Sequence, residues 1–341
     1  MNKEEYLQEL KNGLAYQGYD SRYIQACFEY AQNLLIHGLP VVFDVHHLSL
    51  LLGMTTKQLN AYIFGSGKRL YSTKHISKKD GGVRVLSIPC ETLKYIQRWI
   101  LDNILKRMYI SECCKGFVDD CSILDNASCH LGAEVILNMD IKDFFPSISL
   151  LQVYRVFRYY GYTQELSYVM AKLCTYRDQL PQGSPASPYL SNIIALKIDK
   201  RLMALAESYG AHYTRYADDI TISGFGCLEK MIPIISSVIS EEGLVVNSKK
   251  TRVARKGQRQ EVTGLIINSG KACVPKEYKR KIFQEIYYCQ KFGVTNHQEH
   301  IGDDHRYYKE HLYGKAYYVH MIEPHIGKKM LSELDKVNWE V

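Results

Sequence analysis

The chain has 341 residues, 46% hydrophobic and 23% charged, which suits two or three globular units rather than a disordered tail. It has no stretch of about 18 apolar residues to cross a membrane and no secretory signal in Met1-Asn2-Lys3-Glu4-Glu5-Tyr6, so a cytoplasmic location is expected. The net charge of +7 lies wholly beyond Leu244 and is densest from Lys249 to Lys281, where eleven basic residues meet only Glu261 and Glu277.

That asymmetry suits either a polyanion partner or a solvated basic face, and charge alone does not separate them. The ten cysteines include no Cys-x-x-Cys pair. Reduced thiols are expected, and the spacing of Cys113, Cys114, Cys121, Cys129 and His130 is poor for zinc. The 27 tyrosines could stack on bases or fill a core.

In chain order, the first 65 residues read as helices, with Leu48, Leu51, Leu52 and Leu59 at helical spacing and Thr55-Thr56 as a cap. Sparse basic residues there favour packing over DNA binding. From Leu70 to Pro89 the pattern becomes a hairpin turning at Asp80-Gly81-Gly82 and carrying Lys78, Lys79 and Arg84. A helix follows from about Thr92 to Met108, then a strand from Val135 to Asp140, which Pro146 helps to end. Helices are expected over 149–159, 164–174 and 186–208. A second hairpin from about Ala211 to Ser223 turns at Ala217-Asp218-Asp219. A helix near 228–241 and strands near 243–247 and 260–267 complete an α+β unit. Beyond a boundary near Ser269-Gly270 the pattern is helical to the end.

Three carboxylates stand out. Asp140 closes an apolar strand, and Asp218 and Asp219 sit at a hairpin tip between apolar runs. Taken alone, an acidic tip is a solvated turn. Acids ending buried strands need a compensating cation, and hard oxygen ligands with room for phosphate suit Mg²⁺. Between the two acid sites lies Leu180-Pro181-Gln182-Gly183-Ser184-Pro185, a turn opening a helix that offers backbone N–H groups and an amide to an anion or sugar.

Asp-x-x-x-Phe-Phe, Leu-Pro-Gln-Gly-x-Pro and Tyr-Ala-Asp-Asp in this order resemble the reverse transcriptase palm. Asn126-Ala127-Ser128-Cys129-His130 and Val262-Thr263-Gly264 narrow the likeness to bacterial retron reverse transcriptases, over about Leu39 to Trp339. Lys79 to Arg84 fits the finger hairpin shared with group II intron enzymes. The resemblance implies an α+β right-hand polymerase, with an N-terminal helical extension (1–65), fingers and palm (66–270) and a helical, RNA-binding thumb (271–341).

It further implies two Mg²⁺ ions, with Mn²⁺ as an alternative, held by Asp140, Asp218 and the Ile141 carbonyl, with Asp219 as auxiliary. Gln182 and Gly183 would meet the incoming nucleotide. Arg84 with Lys79 or Lys78 would hold its triphosphate, and Phe145 would exclude a ribose 2′-OH, one of Phe144 and Phe145 merely packing. Lys250 would protonate the leaving pyrophosphate, Lys249 being nearly as eligible. Asp143 is read as a turn cap. Asn126, His130, Val262, Thr263 and Gly264 are expected at RNA, His130 otherwise being a core histidine. Arg255, Lys256, Lys276, Lys279 and Arg280 are expected on RNA phosphates.

The implied reaction copies a cognate structured noncoding RNA from deoxynucleoside triphosphates. It is primed from a guanosine 2′-OH and gives branched multicopy single-stranded DNA, in an antiphage system with a separate effector. Competing readings are a group II intron-like or abortive-infection-type reverse transcriptase, and a non-catalytic RNA-binding scaffold.

Overall fold

The N-terminal helices begin where a short polar side chain accepts a backbone N–H. Asn2, Asp20, Asp44 and Thr55 cap Lys3–Tyr16, Ser21–Ile36, Val45–Leu51 and Thr56–Ile63 in this way. Thr55 and Gln58 form the reciprocal capping box. Leu34, Leu48, Leu52 and Leu59 point into the main core, while Leu51 stays exposed. The computed structural model describes residues 2–65, 67–77, 82–302 and 306–339, the side chains of 67 and 68 excepted. Lys78, Lys79, Asp80 and Gly81 therefore lie outside the described residues.

Strands β1 (Tyr71–Ser77) and β2 (Val83–Pro89) pair antiparallel from Tyr71↔Pro89 to Ser77↔Val83. The base of this hairpin is anchored and its far end exposed. Tyr71 stacks on Tyr176 with ring centroids 4.4 Å apart, and Ser87 N–H donates to the Gln182 carbonyl at 2.7 Å. The amphipathic helix Glu91–Asn103 then buries Leu93, Ile96 and Ile100.

The central sheet has four antiparallel strands: β3 (Val135–Asp140), β4 (His212–Tyr216), β5 (Asp219–Gly224) and β6 (Arg252–Arg255), in the order β4-β5-β3-β6. Side chains alternate across a strand, and β3 uses both faces. Val135, Leu137 and Met139 enter the main core, while Ile136 enters a second core with the C-terminal helices. Asn138 and Asp140 share the parity of Ile136, which places Asp140 at the cleft-side end of that row.

Several sequence-based expectations need correction. The helix expected over 186–208 is two helices, Ser187–Ile194 and Leu196–Ser208, broken at Ala195. No strand forms over 243–247; Val246 makes a single bridge to Ile141, and the strand that flanks β3 opposite β5 is β6. The strand expected near 260–267 is a hairpin, β7 (Glu261–Val262) and β8 (Leu265–Ile266), turning at Thr263 and Gly264 with φ of 45° and 82°. These are short segments whose pairing is tertiary, so local propensity carries little information about them.

Helices Lys276–Phe292, Val294–Ile301, Tyr308–Ile322 and Pro324–Leu334 build the second core around Ile282, Ile286, Leu312, Ala316 and Met330. Val262, Leu265 and Ile267 belong to the same cluster, so the β7–β8 hairpin packs with these helices.

Candidate active site

The sheet register sets the acidic centre. Asp140, the last residue of β3, pairs across the sheet with Asp219, the first of β5. The β4–β5 turn is tied back to β3 by Ile141 N–H donating to the Asp218 carbonyl at 3.0 Å. Asp140 is 5% exposed, and each carboxylate oxygen accepts one hydrogen bond. Lys250 Nζ donates to Oδ2 at 2.7 Å and Asn247 Nδ2 to Oδ1 at 3.1 Å, while Asn247 N–H donates to the Asp140 carbonyl at 2.7 Å. Among the described residues Lys249 makes no ion pair, whereas the Asp140 hydrogen bond raises the Lys250 pKa above its ordinary value.

Asp218 and Asp219 turn to opposite sides. Asp218 lines a cavity of about 600 Å³ with Arg84, Phe145, Gln182 and Gly183. Asp219 lines one of about 740 Å³ with Asn138, Tyr216, Thr263 and Gly264. Asp140 and Lys250 border both cavities. Burial first, then the Asp140 charge, raises the Asp218 pKa, against the pull of Lys250 and Arg84. Burial and the charges of Asp218 and Asp140 push Asp219 up to about 6. Such crowded carboxylates attract a cation.

Among the described residues no three acidic, histidine or cysteine side chains form a cage for a metal ion. Mg²⁺ does not require one, because it binds through one or two carboxylates and completes its shell with water and substrate oxygens. Asp140 and Asp218, adjoining one polar cavity, fit that pattern. Among the described residues no helix is long and apolar enough to cross a membrane.

The Gln182 turn meets the finger hairpin through backbone. Gly183 has φ 131°, and a Cβ there would lie 2.7 Å from the Ser87 carbonyl oxygen. The following helix starts at Ser187, one residue after the expected start at 186. Phe144 packs in the core, and Phe145, half-buried, lines the cavity beside Asp218. Asp143 precedes their short helix with φ 47° and makes no side-chain capping bond, so the cap expected of it does not form.

Sequence reasoning passed over Lys94, Arg98 and Phe117, which line the same cavity. It also passed over Asn247, whose place in Asn247-Ser248-Lys249-Lys250 was the available signal.

The positions expected at RNA divide. Asn126 and His130 are each 1% exposed and turn inwards, so neither side chain is open to a partner and His130 is the core histidine of the alternative reading. Thr214 donates its single hydroxyl proton to Asn126 Oδ1 at 2.6 Å. His130 Nε2–H must therefore donate to Thr214 Oγ1, and Nδ1 accept from Ser223 Oγ, both at 2.7 Å. Burial and nearby His212 hold the His130 pKa down at about 4, so the ring is neutral near pH 7. Asn126 Nδ2 reaches Thr263 Oγ1 at 3.5 Å. Val262 is buried, which also removes its side chain from any RNA contact, while Thr263 and Gly264 line the larger cavity.

Of the basic positions, Arg255 pairs with Glu229, and Lys279 pairs with Glu323 at 2.7 Å. Lys279 is thus committed within the protein, whereas the Arg255 pair lies at the surface. Lys256, Lys276 and Arg280 are exposed and carry no ion pair among the described residues.

The chain matches the family model for reverse transcriptase (RNA-dependent DNA polymerase) over residues 76–269. It is 38% identical to the Retron Ec86 reverse transcriptase of Escherichia coli, covering 76% of this chain and 83% of that one. It is 33% identical to two Myxococcus xanthus proteins. The Retron Mx162 reverse transcriptase match covers 88% of this chain and 68% of the relative. The Retron Mx65 match covers 87% and 73%.

Proposed function

Because the chain belongs to the retron reverse transcriptases and is an RNA-directed DNA polymerase, we propose that Asp140, Asp218 and Asp219 are its catalytic carboxylates and that its template is a cognate structured noncoding RNA. The observation that carries this reading is the convergence of Asp140, the Asp218–Asp219 turn, the Gln182–Gly183 turn and Arg84 on two cavities that share Asp140.

In this reading Asp140 and Asp218, with the Ile141 carbonyl, hold two divalent cations, Mg²⁺ or Mn²⁺, and Asp219 assists from the other side. When bound, such ions supply Lewis acidity for the attacking hydroxyl and the departing pyrophosphate. Arg84, with Lys94 and Arg98 on the same cavity, holds the triphosphate, a role proposed for Lys79 as well. Gln182 and Gly183 border the nucleotide, and Phe145 fills the space that a 2′-OH would need. Lys250, resting on Asp140, is placed to give its proton to the leaving pyrophosphate. Thr263 and Gly264 bring backbone close to the nucleic acid, with Lys256, Lys276 and Arg280 on its phosphates. Asn126 and His130 act from behind, as supports of Thr263 and of β4.

The chain then divides into an N-terminal extension (1–65), fingers and palm (66–270) and thumb (271–341). The product is branched multicopy DNA primed from a guanosine 2′-OH, in a cytoplasmic antiphage system with a separate effector.

The test is Asp218→Asn with Asp219→Asn. DNA synthesis on copurified RNA is abolished while RNA binding persists; unchanged synthesis refutes the carboxylate assignment. Sequencing of copurified nucleic acid separates the retron product, a DNA joined through a 2′ linkage to RNA, from heterogeneous cellular RNA.

A further inference from the structure

Behind the catalytic turn lies a charge that the chemistry above does not use. Arg215, the penultimate residue of β4, is fully buried, and so is its partner Asp199 in the helix Leu196–Ser208. The guanidinium grips Asp199 twice, Nε to Oδ1 and Nη2 to Oδ2, both at 2.7 Å. Tyr213 Oη donates to the same carboxylate at 2.8 Å. Burial works against the charge, but Asp199 outweighs it and holds the arginine pKa above its ordinary value. Nη1 has two further acceptors: Asn192 Oδ1 at 3.1 Å and the Ala217 carbonyl at 3.0 Å.

Ala217 immediately precedes Asp218. It holds a left-handed φ of 58°, a region alanine rarely adopts without external support. Support comes from two sides. The guanidinium fixes its carbonyl, and Gly116 packs on its amide so closely that a Cβ at 116 would lie 2.6 Å from Ala217 N. The loop carrying Gly116 is bound to β4, Arg215 N–H donating to Cys113 O at 2.9 Å and Lys115 N–H to Arg215 O at 2.8 Å. Asn192 Nδ2 closes the circuit by donating to Gly116 O at 2.8 Å.

We propose that Arg215 is a positioning residue: held by Asp199, it fixes the strained Ala217 peptide and thereby the placement of the Asp218 and Asp219 carboxylates for cation binding. The assignment rests on the reading of those two residues as cation ligands. A purely structural ion pair would need only Asp199. The fork to Ala217 and Asn192 is what positions the turn, and lysine cannot reproduce it.

Arg215→Lys keeps the buried charge and loses the fork. A second variant, Arg215→Met with Asp199→Leu, removes both charges; apolar replacement of a buried pair often preserves the fold. Each is measured for thermal unfolding, RNA binding, Mn²⁺ binding to the RNA complex by electron paramagnetic resonance, and single-nucleotide kinetics, with Asp218→Asn as reference.

In either variant that folds and binds RNA, Mn²⁺ binding weakens several-fold. The kcat falls by about 100-fold, the scale expected when reacting groups are misplaced by about 1 Å, with little change in nucleotide KM. Wild-type Mn²⁺ binding and kcat in Arg215→Lys overturn the proposal, as they do in the double variant. If Asp218→Asn abolishes Mn²⁺ binding while the Arg215 variants are normal, only this inference fails. If Asp218→Asn is itself normal, the ligand reading fails and takes the inference with it.

Discussion

His130 offers a test in which pH reports burial. Its ring is enclosed between Ser223 and Thr214, and burial lowers its pKa to about 4, against an ordinary value of 6.5. As pH falls through 6.5 the unfolded chain takes up the proton first, so it binds more protons than the folded chain until about pH 4. Stability is therefore full above pH 6.5 and is lost progressively down to about pH 4. A gap of about 2.5 units at about 1.36 kcal/mol each gives about 3 kcal/mol in all, of which about 2 kcal/mol is felt at pH ~5.

His130→Gln removes this titration while keeping a donor and an acceptor. Urea unfolding of both proteins without metal, at pH ~7.5 and ~5, isolates the effect. Asp219, whose pKa is raised, shifts stability in the opposite sense as pH falls, but it does so in both proteins and cancels. The wild type is expected to be more stable at pH ~7.5 by about 1–3 kcal/mol, the cost of disturbing a buried hydrogen-bonded group. At pH ~5 that advantage shrinks by about 2 kcal/mol. An advantage equal at both pH values would mean that the imidazole titrates as in the unfolded chain, and would refute its placement inside the palm.

Gly183→Ala forces a methyl group toward the Ser87 carbonyl oxygen, where the gap is only 2.7 Å. The Gln182 turn and the finger hairpin separate, and steady-state kinetics should show nucleotide KM raised several-fold with a smaller change in kcat. Lys276→Ala should lower the slope of log RNA affinity against log salt by about 0.7–0.9, the share of one phosphate contact. Lys279→Ala should leave that slope unchanged and lower thermal stability instead, because its ammonium is held between both oxygens of Glu323.

The basic stretch shows what a sequence can and cannot reveal about such a site. The count from Lys249 to Lys281 is plain in the sequence, but half of its meaning lies in partners elsewhere. Glu323 meets Lys279 from across the C-terminal helices, Glu229 meets Arg255 from beside the sheet, and Asp140 meets Lys250 from the end of β3. The order of Asp140, Gln182 and Asp218-Asp219 was legible because each motif is local, the carboxylates at strand ends and Gln182 in a tight turn. Arg215 was not, because an arginine between Thr214 and Tyr216 reads as one polar residue of a hairpin until Asp199 is seen beneath it.

The same limit explains Asn126-Ala127-Ser128-Cys129-His130 and Val262-Thr263-Gly264. Read as isolated motifs they point outward to RNA. In the fold they are joined, His130 to Thr214, Thr214 to Asn126, and Asn126 to Thr263. That relay ties the strand leading into the Asp218–Asp219 turn to the Thr263–Gly264 turn at the rim of the larger cavity. Substitutions at Asn126 or His130 should therefore act on RNA only through the position of Thr263 and Gly264. Their effect on binding should vanish wherever a replacement side chain keeps the chain of hydrogen bonds intact.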